Sequence, residues 1–152
     1  MAFISVTRLR VRSLLYLPEF LWDTAQSVRQ VQHSFGFLGG RLLVNAPYVF
    51  WTMTVWLDEV AMNAYRTGGA HRKAMPKLLN WCDEAAVVHW TQESPEIPAW
   101  QQAQQHMAET GKLSKVNHPS PAQASQQIPA PRPSRIAQTL KPSAVNPSPP
   151  VV

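Results

Sequence analysis

Five histidines and a single cysteine are the groups in this 152-residue chain best suited to chemistry near neutral pH, and their spacing narrows the possibilities. His71 stands out. It follows Gly68 and Gly69, opens a helical turn and shares a face with Met75 and Leu78 at steps of four and three, so its imidazole is expected to point into a cavity between helix and sheet. The plainer alternative is a helix-terminal histidine that bonds backbone carbonyls. His89 lies beside Trp90 in a strand-like run. Facing the sheet side opposite the helices, it could carry protons in a cavity between subunits, with an ordinary pKa near about 6.5. An edge-exposed strand histidine is the alternative. His71 and His89 are thus the candidate catalytic residues. His33, His106 and His118 have no partner at metal-ligand spacing. Lone Cys82 forbids an intrachain disulfide and a thiolate metal cage. Its neighbours Asp83 and Glu84 would raise its thiol pKa, which removes it as a nucleophile. No serine elbow, phosphate loop or catalytic carboxylate pair occurs, and Asp58-Glu59 reads as a helix start.

A pocket for a planar or polyene-like substrate needs apolar walls with few polar groups. Trp51, Met53, Trp56, Met75 and Trp90 are the candidate lining, with Trp81 near them. Strand tryptophans also serve as core or interface.

These groups need elements to hold them. Residues 2 to 12 alternate, with Phe3, Ser5, Thr7, Leu9 and Val11 on one side, which predicts a half-buried strand. Pro18 and Glu19 then open an amphipathic helix through Leu21, Ala25, Val28, Val31 and Phe35, closed by Gly36. Arg41 to Asn45 and Tyr48 to Trp56 form a hairpin around an Ala46-Pro47 turn, with Asn45 as a turn residue. A helix over 60–66, a break at Gly68-Gly69, a second helical piece kinked at Pro76 and a strand over 85–91 follow. Ala99 to Thr110 is expected to form a peripheral helix.

The order β-α-β-β-α-β, with right-handed crossovers, predicts an α+β, ferredoxin-like antiparallel sheet with both helices on one face. The other face carries tryptophan and would be a larger apolar patch than monomers expose. A homodimer with sheets packed face to face, a dimeric α/β barrel, is therefore expected.

The stretch from Phe50 to Arg66, followed by Gly69-Ala70-His71-Arg72-Lys73-Ala74-Met75, resembles the antibiotic-biosynthesis-monooxygenase superfamily of dimeric α/β barrels. Within it the pattern is most similar to spheroidene-monooxygenase-like proteins and a related uncharacterised domain family. The shared features are a strand ending in Trp, then Asp-Glu, an apolar helix and a Gly-Ala-His step, and the likeness covers roughly residues 2 to 92. It implies a small monooxygenase acting on an apolar organic substrate, either cofactor-free or haem-dependent. By the same resemblance His71 would be a haem axial ligand. Haem-degrading members also use an asparagine on the first strand, and Phe3 to Val11 contains none. A non-catalytic dimeric ligand-binding or scaffold protein of the same fold is the alternative.

Composition sets the outer bounds. All 14 aromatics precede residue 101, whereas nine of the 34 residues from Pro119 onward are proline. The expected layout is a domain over 1–118 and a disordered Pro-rich tail over 119–152, which could dock a protein partner through its 129–133 and 147–150 motifs. Three of the 14 cations, Arg132, Arg135 and Lys141, belong to that tail and no acid does, so the domain is only mildly basic. Nucleic-acid binding is not expected, because there is no basic stripe with stacking aromatics. The N-terminus reaches Arg8 without a signal-like apolar run and no stretch has membrane-spanning length, so a cytoplasmic protein is expected.

Overall fold

The computed structural model describes residues 1–45, 48–130 and 136–143. Strand β1 spans Ala2–Val11 and a 3-10 turn at Leu14–Tyr16 leads into α1, Leu17–Gln32, with Pro18 and Glu19 in its first turn. Ser34 and Gly36 make the exit. Gly36 has φ of +78°, and a Cβ there would lie 2.6 Å from the Ala61 side chain, so only glycine suits this left-handed, crowded corner.

Strand β2, Phe37–Asn45, begins four residues earlier than the hairpin pattern predicts, because Gly39 and Gly40 are absorbed into it across a register shift. Its partner β3 is Val49–Trp56. The Ala46-Pro47 turn lies outside the described residues. Asp58 caps α2, Glu59–Arg66, its carboxylate accepting from the Ala61 N–H at 2.8 Å. Helix α3, Gly69–Trp81, runs through Pro76 as one element and passes directly into β4, Cys82–Gln92. Then come α4, Trp100–Thr110; β5, Lys112–Leu113; α5, Pro121–Ala124; and β6, Ile136–Leu140.

The strands form one antiparallel sheet in the order β5-β4-β1-β3-β2-β6. Its central four strands have the expected ferredoxin-like arrangement, and the C-terminal region adds a short strand to each edge. No helix among the described residues is long and apolar enough to cross a membrane.

The pleat gives the sheet two distinct faces. Phe3, Val31, Phe37, Trp56, Ala61, Met62 and Leu140 cluster on the side of α1 and α2, and Val11, Phe20, Trp81 and Cys82 continue that layer. On the reverse face Ile4, Val6, Leu43, Trp51, Met53, Val55, Ala86 and Val88 pack with Ala103 and Met107 of α4. Here the structure corrects the sequence reading. The face expected to need a second copy is covered by this chain's own α4, which is not peripheral, together with Ile97, Leu113 and Ile128, and Trp51 and Met53 are only 1% and 0% exposed. Burying these residues therefore does not require a second copy.

The tail needs a correction too. Ser120 and Gln123 are buried, and the Gln123 side chain accepts from the Ala85 N–H and donates to the Ser114 carbonyl at 2.8 Å. Strand β6 pairs along β2, placing Leu140 in the core, and Gln32 of α1 holds the Lys141 carbonyl. A segment without aromatics orders here by completing hydrogen bonds that existing sheet edges leave open, rather than by building a core of its own. Residues 131–135 and 147–150, which carry much of the proline pattern read as a docking motif, lie outside the described residues.

Candidate functional site

Between α1, α2 and α3 and the sheet lies a cavity of about 690 Å³, within the range of small-molecule sites. Strand register sets its floor. Ser5 stands between Thr54 on β3 and His89 on β4, and Thr7 stands between Thr52 and Val87. In the third row Leu9 lies between Phe50 and Ala85. Two rows therefore carry hydroxyls and an imidazole, and the third is apolar. Phe20, Leu78 and Trp81 wall the apolar end, while Met62, Tyr65, Arg66 and His71 belong to the helical side. Gln138 and Leu140 of β6 complete the wall, so part of the supposed tail builds the site.

His71 is positioned by two devices. Its ring Nδ1 lies 3.1 Å from the Arg66 carbonyl, and a carbonyl only accepts, so Nδ1 carries the proton and Nε2 is left as an acceptor. Its backbone N–H donates to Gln30 Oε1 at 2.8 Å, while Gln30 Nε2 donates to the Tyr65 and Gly68 carbonyls at 3.1 and 2.9 Å. One α1 amide thus clamps the α2–α3 junction that presents the imidazole. The Tyr65 ring packs on His71 with centroids 4.7 Å apart, and its hydroxyl donates to the Ser27 carbonyl. The plain reading of His71, a bond to a backbone carbonyl, and the functional one, an imidazole lining the cavity, are both true of this geometry.

Burial lowers the His71 pKa, and the Arg66 charge lowers it further against the opposing hydrogen bond to the Arg66 carbonyl. His89, packed against the Phe3 ring, is lowered by burial first and then by Arg66, with Glu59 opposing and Lys112 adding to the decrease. Both imidazoles are therefore neutral at pH 7. The unfolded chain binds protons at these sites before the folded chain does, so stability falls as pH drops below the ordinary value of about 6.5, until the lowered folded values are passed. Thermal denaturation followed from pH 7 to 5 is expected to show this loss, with a shallower fall in His71→Asn; an identical slope in the variant would count against it.

The sequence-predicted site residues do not all converge. His71 and Met75 line the cavity and Trp51 borders it. His89 lines it as well, but from the helix-covered face, opposite to the side expected, because its parity in β4 matches Ala85 and Val87. Three assignments are corrected. Met53 is buried in the opposite layer, Trp90 stacks on His106 there with centroids 4.0 Å apart, and Trp56 is sealed between Phe37 and Tyr65. Burial, assisted by Asp83, pushes the Cys82 thiol up to about 12, in keeping with its exclusion as a nucleophile. Among the described residues no group of three or more His, Cys, Asp or Glu side chains could hold a metal ion.

Sequence reasoning missed the hydroxyl rows, Gln30 and Arg66. The signal for the first was present, since Ser5, Thr7, Thr52 and Thr54 alternate on what becomes one face. Gln30 carried no signal, because its partners lie 35 to 41 residues away.

No family model and no curated protein matches the chain. Solved structures do. A Nitrosomonas europaea protein assigned to the antibiotic biosynthesis monooxygenases superposes with a TM-score of 0.55 at 14% identity, covering 62% of this chain and 92% of that one. SnoaB, a cofactor-independent oxygenase from Streptomyces nogalater, gives 0.51 at 17% identity over 64% and 98% of the two chains. Rv0793 from Mycobacterium tuberculosis gives 0.55 at 10% identity, over 62% and 97%. The chain has the antibiotic-biosynthesis-monooxygenase fold over about three-fifths of its length.

Proposed function

We propose that this chain is a small monooxygenase-like enzyme that binds an apolar organic substrate in the cavity between helices and sheet. The observation that carries the reading is a lining imidazole, His71, held neutral with Nε2 left as its proton acceptor. In a cofactor-free reaction the substrate supplies the electrons that reduce dioxygen. The protein's task is then to remove a proton, keep water out and orient the resulting electron-rich anion. His71 takes the proton, the Ser5, Thr7 and Thr52 hydroxyls orient oxygen atoms of the substrate, and the apolar row beneath Phe20 and Trp81 holds its body. The fold shared with a cofactor-independent oxygenase supports this reading.

The residues also fit a haem iron at one point. A histidine that holds haem iron needs its other ring nitrogen tied down, and the Arg66 carbonyl would do this for His71. His71 would hold the iron, whose chemistry when bound is dioxygen activation.

Oxygen uptake with anthrone, whose anion reacts with dioxygen, tests the first form. Acceleration by the protein is expected, with a loss of about a hundredfold in His71→Ala, the lower end of what a positioned base contributes. No acceleration of anthrone oxidation, or an equal rate in the variant, counts against it. Haem titration separates the second form: a Soret band that appears with the wild type and is lost in His71→Ala marks iron ligation.

A further inference from the structure

Among the side chains lining the cavity, the unpaired charges are all positive. Asp23 is there, but its carboxylate is bound by Lys77 at 2.9 Å. Arg66 and Lys115 also line the cavity, and neither has an ion-pair partner among the described residues. The two cations differ in their neighbours. Lys115 lies in sequence between Ser114 and Val116, and Val116 packs with the apolar layer of Val11, Phe20 and Trp81. Arg66 belongs to the α2–α3 junction with Tyr65 and His71, at the helical side that faces the hydroxyl rows. Arg66 is exposed, and its guanidinium, with five donors, has no ion-pair partner among the described residues.

A ligand that satisfies this lining has an apolar body and one anionic head. A neutral body fills the Phe20, Phe50, Leu78 and Trp81 end, and a head with two oxygens meets the planar fork of Arg66, with hydroxyls of the floor beside it. Guanidinium matches a carboxylate bidentately, which a lysine does not.

We propose that the cavity selects apolar organic carboxylates, with Arg66 as the seat of the carboxylate. This rests on the reading of the cavity as the substrate site and narrows the substrate class. Binding of 2-naphthoate and of its neutral analogue 2-naphthalenemethanol to the full chain at pH 8, followed by tryptophan fluorescence and calorimetry, tests it. The wild type is expected to prefer the carboxylate about tenfold, a preference that shrinks in high salt because the seat is solvent-facing. Arg66→Gln is expected to abolish the preference while leaving 2-naphthalenemethanol binding unchanged, and Lys115→Gln to retain it. Equal affinity for the two compounds in the wild type, or loss of the preference in Lys115→Gln rather than Arg66→Gln, overturns the assignment. Failure of both compounds to bind overturns the cavity reading itself, and the assignment with it.

Discussion

Met107→Ala is expected to destabilise the fold by about 2–5 kcal/mol, the cost of removing a fully buried methionine side chain and leaving part of its cavity behind. Helix α4 has only two fully buried residues, Ala103 and Met107, four apart on one face, and both meet the sheet layer formed by Ile4, Val6, Trp51 and Met53. Gln101→Ala, on the exposed side of the same helix, is expected to stay within about 0.5 kcal/mol. The comparison is diagnostic because a peripheral helix would make the two substitutions equivalent. Urea denaturation provides the measurement, and equal midpoints for both variants would contradict the packing described here. Loosening α4 uncovers tryptophan and methionine on a broad sheet face, so Met107→Ala is also expected to self-associate at concentrations where the wild type does not.

Glu84→Ala is expected to cost about 3–5 kcal/mol, because it strands a buried guanidinium. Arg8 on β1 and Glu84 on β4 meet diagonally, with side chains 5% and 4% exposed, joined at 2.8 Å. The second Glu84 oxygen accepts from Arg10 at 3.0 Å and from the Ser120 hydroxyl at 2.9 Å. Burial pushes the Glu84 pKa upward, but the hydrogen bonds from Arg8, Ser120 and Arg10 together outweigh it and leave the carboxyl lowered. Its stabilising contribution is therefore present above the ordinary carboxylate value and is lost as pH falls through the lowered one. Removing Glu84 leaves Arg8 with no counter-ion in a site where its Nε already lacks a partner, and frees the segment that Ser120 anchors. Replacing both partners, as in Arg8→Met with Glu84→Leu, is expected to recover most of the loss, since the expense lies in the orphaned charge rather than in the absent bridge. A single-variant loss below about 1 kcal/mol would show that water reaches Arg8.

The outcome differs between local and distant features for physical reasons. Alternation in Phe3 to Val11 and Phe50 to Trp56 assigns each side chain to a face, because strand periodicity is a local property. Asp58 as a cap and Gly36 as a helix stop are equally local, decided within three residues by backbone donors and by φ. Thus the ferredoxin-like order of elements was legible, whereas for His71 the residues left two readings open. Which layer covers a face is a non-local question. The pattern of α4 offers Trp100, Ala103 and Met107 as a short apolar stripe among glutamines, too little to reveal that it packs on the reverse face of the sheet. The same holds for the C-terminal residues. Gln123, Gln138 and Leu140 look like parts of a solvated linker until the edges of β4 and β2 offer them partners.

By itself the amino-acid sequence determined the order of the elements up to residue 92 and the alternation of side chains along β1 and β3, consequences of backbone geometry acting over a few residues. The tertiary structure alone decided that α4 packs over the reverse face. It also decided that Gln30 orients His71, that Arg8 and Glu84 share a buried bridge, and that Arg66 and the strand hydroxyls meet around one cavity. Each of these joins residues far apart in the chain, and their energies arise from burial and pairing that exist only once the sheet has assembled.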